Sequence, residues 1–348
     1  KQFARQFVDR RDKLMPRNVD ELHSLLAEVM VRNRRSTVGL QFTRRWARTE
    51  RVVPTPAECE LYDAVTRFVR GQLQAAGGRG PLSRIALIML QMALGSSSQA
   101  AARTLEHMSE HEKLQEPERS ALTALAAAAR RQTESSKVDR LLRLLDEFRD
   151  KLVIFTQFRA TQELLCERLR QAGHELAVFH GGLTRMEKEA AIERFRGPAR
   201  LLVCTESGSE GRNLQFAHGV CNFDLPWNPM KIEQRIGRLS RIGQTHDVYV
   251  FNLVAAGTAE AAVLHLLEAK LSMFELVIGE IDMILGNLDD EREFQDVVAD
   301  LWAESADTDD FTRGMNELGD RLVAAKAAYL QQRAHDERLF ADRFTPEG

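Results

Sequence analysis

Asp224-Leu225-Pro226-Trp227-Asn228-Pro229 leads through Met230-Lys231-Ile232-Glu233 into Gln234-Arg235-Ile236-Gly237-Arg238-Leu239-Ser240-Arg241-Ile242-Gly243-Gln244. Asn228 followed by Pro229 reads as a helix N-cap and first helical residue: Asn accepts a bond from an orphan amide, and Pro lacks the amide that would be orphaned. On the helix this opens, Gln234, Arg238 and Arg241 stand at i, i+4 and i+7 and share one face. Two guanidiniums on one face meet a polyphosphate bidentately and stay charged at any workable pH. An isolated Arg-x-x-Arg is most often a solvated basic face. The whole run from Gln234 to Gln244 is far more specific than that.

Working outward, short apolar runs suited to buried strands lie at 152–156, 176–179, 201–204, 220–223 and 248–253. Helical patterns separate them at 137–149, 160–171 and 184–195, with the arginine helix between the last two strands. Thr184 and Glu187 have capping-box spacing. Strands alternating with helices predict a parallel sheet covered on both faces, an α/β domain over 135–256. Upstream, residues 46–53 read as extended up to Pro54. Helices are expected over 18–31, 56–75, 82–94, 99–109 and 117–131, without strand alternation. Residues 257–348 return to helix, including 312–341.

Composition narrows the class. The chain has 348 residues, 44% hydrophobic and 28% charged, with a net charge of −3, as in an ordinary soluble globular protein. No apolar run is long enough to span a bilayer and no secretory signal is visible. A chain opening on Lys1 is expected to be a piece of a longer protein. Cys59, Cys166, Cys204 and Cys221 are too far apart for a metal knuckle, so free thiols in a reducing cytoplasm and no metal site are expected. Charge is uneven: residues 32–51 carry seven arginines against Glu50, and 289–310 carry ten carboxylates against Arg292. A basic run is more often a solvated face than a phosphate track, and Trp46 and Phe42 shift that balance only modestly.

The second chemistry-bearing segment is Leu201-Leu202-Val203-Cys204-Thr205-Glu206-Ser207-Gly208-Ser209-Glu210-Gly211-Arg212-Asn213-Leu214. It is a strand followed by a Gly-containing turn at the carboxyl end of a parallel sheet, the edge where open α/β sheets bind ligands. Alone, a Gly-x-x-Gly turn is a weak signal. Gly-x-x-x-x-Gly-Lys-Ser/Thr occurs nowhere in the chain, and the third glycine of a dinucleotide fingerprint is missing.

Together these segments resemble motifs V and VI of superfamily-two helicases, in the Arg-Ile-Gly-Gln form of Swi/Snf-type ATPases. The Gly-Ser-Glu-Gly-Arg-Asn turn and the Gln-Arg-Ile-Gly-Arg-Leu opening are similar to those of the bacterial RapA-like subfamily. Lys151–Phe158 resembles motif IV, and His180-Gly181-Gly182 the block after it. The resemblance implies a RecA-like C-terminal lobe with an N-terminal helical protrusion and a C-terminal helical extension. It implies ATP and Mg2+ bound mainly by a first lobe outside this chain. Arg238 and Arg241 then act as arginine fingers with Gln234 beside the γ-phosphate, and Gly208, Glu210, Gly211, Arg212 and Asn213 border the nucleotide. Thr156, Gln157, Gly181, Gly182, Thr184 and Thr205 follow a nucleic-acid backbone, without reading bases. His180 is given no proton-transfer role.

The resemblance divides the chain into the tail of lobe one and linker (1–54), the protrusion (55–134), the RecA-like lobe (135–256) and a brace with helical extension (257–348), in which Gly257-Thr258-Ala259-Glu260 opens the bracing helix. Double-stranded DNA or RNA, the first lobe and RNA polymerase are the implied partners, in the cytoplasm of a bacterium. A strand-separating helicase and a non-catalytic binding module are the alternatives. Asp20-Glu21-Leu22-His23 spells a magnesium box, but an amphipathic helix follows it rather than a buried strand preceding it, so capping is the better reading. The acidic 289–310 stretch fits a surface helix pair better than a partner-binding tail or an inhibitory element.

Overall fold

The short runs become β1 (Arg45–Val52), β2 (Leu152–Thr156), β3 (Leu176–Phe179), β4 (Leu201–Thr205), β5 (Gly219–Asn222) and β6 (Val248–Ala255). The structure is a computed structural model that describes residues 43–75, 80–206, 213–240, 244–270, 273, 285 and 293–340. The strands form one sheet in the order β1-β6-β5-β2-β4-β3, and every neighbouring pair is parallel. The chain divides into two compact units, residues 42–323 and residues 1–41 with 324–348. The sheet belongs to the first. The described part of the second is the helical stretch 324–340. The helix expected at 18–31 and the Asp20–His23 stretch lie outside the described residues.

Both faces of the sheet are covered, which is why its strands are near-continuous apolar runs rather than alternating ones. One face, with Leu152, Ile154, Leu201, Val203, Cys221, Phe251 and Leu253, packs on α5 (Ser136–Glu147) and α6 (Arg159–Gln171). The other includes Phe155 and Asn222 and meets α8 (Pro229–Ile236). Helix α7 (Arg185–Arg196) packs beside β3 and starts at the expected capping box of Thr184 and Glu187. Cys166, Cys204 and Cys221 are buried free thiols and Cys59 is exposed.

One strand comes from outside the expected domain. Residues 45–52, assigned by the sequence to a linker, pair with β6 from Arg45↔Val248 to Val52↔Ala255 and make an edge of the sheet. Half-exposed edge strands carry polar residues, so their periodicity is faint. This placement engages part of the basic run within the protein: Arg48 pairs with Glu50 and Glu147, and Arg140 of α5 pairs with both of these carboxylates. Hydrogen bonds from Arg140 and Arg48 hold the Glu147 carboxyl below its usual range.

Before the sheet come α1 (Pro56–Ala75), α2 (Arg84–Ser96), α3 (Ser98–Ser109) and α4 (Glu116–Arg131). Ser97 alone separates α2 from α3; extended there, it caps α3 by accepting from the Ala100 amide. After the sheet, Thr258 caps α9 (Ala259–His265), followed by a π-helical turn at Leu266–Lys270. Then come α10 (Phe294–Glu304) and α11 (Thr308–Phe340). The surface-pair expectation for this last segment is corrected: Phe294, Val297, Val298 and Trp302 of α10 are buried. Asp296 and Glu304 lie on its exposed face and Asp300 pairs with Arg84, and counting charge without phase concealed the apolar face.

Candidate nucleotide and nucleic-acid interface

Parallel strands end at one edge, and here that edge gathers the polar residues. Thr156 is opposite Thr205, and Phe155 opposite Asn222. Gln157, Glu206 and Asp224 therefore emerge side by side. Asp224 is fully buried. Its carboxylate accepts from the Ser96 hydroxyl at 2.6 Å, the Thr156 hydroxyl, and the Gln157 amide at 2.9 and 3.1 Å. A buried carboxylate needs this many donors to offset its lost hydration. With both oxygens engaged, Asp224 is a junction between α2 and β2 rather than a free acid.

Arg235 on α8 completes the junction. Its guanidinium donates to Asn222 Oδ1 at 3.0 Å, to the Asp224 carbonyl at 2.8 Å and to Glu206 Oε1 at 2.8 Å. It also lies 5.4 Å from the Phe155 ring centroid. Lys231, one turn earlier, approaches the other Glu206 oxygen at 3.4 Å. The Glu206 carboxylate is thus held by two cations of α8. Backbone bonds add to this: the Leu214 amide donates to the Arg238 carbonyl at 3.1 Å. Buried Gln244 donates to the Gln215 and Leu239 carbonyls at 2.9 and 3.0 Å.

Beside the junction sits a second buried pair, Lys137 of α5 and Glu260 of α9, at 3.1 Å. Lys137 also donates to the Gly95 carbonyl, and the Leu225 amide to Glu260. Burial pushes the Glu260 carboxyl up to about 7, against the pull of Lys137.

A family model for the helicase conserved C-terminal domain matches residues 136–243. An ATP-dependent helicase of Bacillus subtilis, YqhH, is 34% identical over 333 residues, 95% of this chain and 58% of that protein. The RNA polymerase-associated protein RapA of Erwinia tasmaniensis is 40% identical over 144 residues, 40% of this chain and 15% of that protein. Residues 136–243 of this chain carry a helicase C-terminal domain. The chain spans about three-fifths of the length of YqhH. The solved C-terminal part of the Fun30 ATPase domain has the same fold, with a TM-score of 0.50 at 18% identity over 75% of this chain and 98% of that one.

Within the lobe, the residues named from sequence fall into three groups. Arg241 and the motif V residues Gly208, Glu210, Gly211 and Arg212 lie outside the described residues. Gln234 is exposed on α8, whereas Arg238 is half-buried in the turn beyond it. The helix is shorter than expected. It ends at Ile236, and the chain continues through i→i+3 bonds from Arg238 to Arg235 and from Leu239 to Ile236.

The nucleic-acid candidates differ among themselves. Gly181, Gly182 and Thr184 are exposed, but the Thr184 amide and hydroxyl are both bound to Glu187 within the capping box. Thr156 is buried and commits its hydroxyl to Asp224, the placement of a supporting group. The Thr205 hydroxyl and the Gln157 side-chain Nε2 are buried and have no hydrogen-bond partner among the described residues. Asn213 is exposed and accepts from the Gln215 amide. Burial and Arg159 lower the pKa of His180.

Sequence reading missed Asp224, Arg235, Glu206 and Ser96. The available signal was Asp224 itself, an acidic residue placed directly after a buried strand.

Proposed function

We propose that this lobe is the second half of a nucleic-acid-dependent ATPase that moves along a double-stranded nucleic acid. One observation carries the reading: on the motif VI segment Arg235 is turned inward and locked, while Gln234 is exposed and Arg238 lies beyond the helix end. Arg235 serves the fold, and the resemblance to motif VI assigns Arg238 and Arg241 to the nucleotide. They supply positive charge to the phosphoryl group in transfer, with Gln234 on the γ-phosphate side.

The donor set fits one wall of a triphosphate site. The sequence has no Gly-x-x-x-x-Gly-Lys-Ser/Thr cradle, and the described residues contain no cluster of three side chains suited to a metal. The phosphates and Mg2+ are accordingly held by the first lobe, and the Gly208–Asn213 turn borders the nucleotide. Lobe closure assembles the site, which couples hydrolysis to conformation.

Gly181, Gly182 and Thr184 bind backbone phosphates, together with Gln157 and Thr205, whose polar atoms are buried at the sheet edge without a partner among the described residues. Thr156 supports them through Asp224. Residues 55–134 form the protrusion and 257–348 the brace and extension. The resemblance to RapA makes RNA polymerase a candidate partner in a bacterial cytoplasm, and no described helix is long and apolar enough to cross a membrane.

ATP turnover measured with and without duplex tests the reading: the full-length protein is stimulated and the 348-residue chain alone is inactive. Turnover by a clean preparation of the chain alone would overturn the two-lobe assignment. The helicase designation of YqhH supports strand separation as a second reading, which a duplex-unwinding gel assay on the full-length protein distinguishes.

A further inference from the structure

Helix α10 lies beyond the span of the matched domain model, which ends at residue 243. Its contacts lead back to the arginine-bearing helix. Trp302 meets Trp227 with ring centroids 6.3 Å apart and planes inclined at 49°. Both indoles are buried, 2% and 1% exposed. Trp227 directly precedes Asn228, the residue that caps α8 by accepting from the Met230 amide. The Trp227 indole N–H has no hydrogen-bond partner among the described residues, so packing alone seats that ring.

Trp302 is itself anchored to the helical region. The Arg70 guanidinium of α1 lies 5.4 Å from its ring centroid and donates to the Ala306 carbonyl at 3.0 Å. Arg84 of α2 pairs with Asp300. Helix α8 has only eight residues, and so short a helix is not stable by itself; what grips its ends sets its direction.

We propose that α10 is a positioning strut for motif VI. Trp302, held against α1 by Arg70, seats Trp227, and Trp227 fixes the start of α8 and so the reach of Gln234 and Arg238. Trp302 touches no reacting atom. The proposal rests on the reading of this segment as nucleotide-facing, and its effect on turnover runs through position alone.

The test uses the full-length protein carrying Trp302→Ala or Trp302→Phe, read by amide hydrogen exchange and by ATP turnover at saturating nucleic acid. Trp302→Ala speeds exchange over residues 229–240 about tenfold while β2 and β4 amides keep their protection. It lowers kcat about tenfold, with KM for ATP and nucleic-acid affinity within about twofold. Trp302→Phe keeps an aromatic ring at the contact and restores both readouts to within about threefold.

Unchanged exchange at 229–240 overturns the proposal, and so does faster exchange with unchanged kcat. If Trp302→Ala also exposes β2 and β4, Arg70→Leu replaces it. That variant keeps both indoles, moves both readouts in the same direction, and overturns the strut if it is neutral in both. Arg238→Ala with unchanged turnover would sink the nucleotide reading separately, leaving the exchange result to decide the strut.

Discussion

The guanidinium of Arg235 and the carboxylate of Glu206 meet at 2.8 Å, joining the helix of motif VI to the first residue of the motif V turn. Arg235 also holds Asn222 and the Asp224 carbonyl, so one side chain ties the ends of β4 and β5 to α8. Two segments proposed to face the nucleotide are thereby built as one body.

Replacing Arg235 should therefore damage the fold before it damages chemistry. Arg235→Ala leaves Glu206 without its closest cation and the Asn222 and Asp224 oxygens without their donor. Removing one partner of a buried ion pair costs about 3–5 kcal/mol. Arg235→Lys keeps the charge but lacks the planar fork that reaches three acceptors, and recovers only part of the loss. Urea unfolding of both variants measures this; stability within about 0.5 kcal/mol of wild type for Arg235→Ala would contradict the junction.

Gly95 has no room for a side chain. A Cβ there would stand 3.0 Å from Glu260 Cδ and 3.2 Å from its Oε1. Glu260 cannot withdraw without releasing Lys137 and the Leu225 amide. Gly95→Ala is expected to destabilise the lobe by about 1–3 kcal/mol, the usual cost of overpacking a tight interior. A thermal melt checks it, and an unchanged or raised Tm would show that the pair yields.

The same pair gives the lobe a pH dependence. The Glu260 carboxyl is raised to about 7 by burial, above its value in an unfolded chain. Its contribution to stability is full below the unfolded pKa and is lost as pH rises through about 7. Urea midpoints measured from pH 5 to 8 should fall across that window, and Glu260→Gln should remove this component of the fall. A slope equal in the variant and in wild type would exclude Glu260 as its source.

Much of this fold could be read from local pattern. The runs at 152–156, 176–179 and 201–204 have one environment along their whole length, and composition alone announces them. The caps at Asn228 and Thr184 are equally local. The segment 46–53 read as extended, but its place in the sheet escaped because the polar edge strand Arg45–Val52 has no clear apolar face, and only its pairing with β6 identifies that place. In the candidate site, the spacing of Gln234 and Arg238 drew attention to the motif VI segment. Arg235, next to Gln234, points the opposite way and becomes structural only when Glu206, Asn222 and Asp224 are brought to it from elsewhere in the chain. The role of α10 was hidden for a similar reason: Trp302 and Trp227 are far apart in sequence, and nothing local to either names the other.

The central claim is that Arg238 and Arg241 supply charge to a nucleotide held by another lobe. Nucleic-acid-stimulated ATP turnover by the full-length protein with Arg241→Ala, and separately Arg238→Ala, tests it most directly. For a finger residue kcat is expected to fall about 10³-fold or more, with nucleic-acid binding retained. Near-normal stimulated turnover in both variants would contradict it.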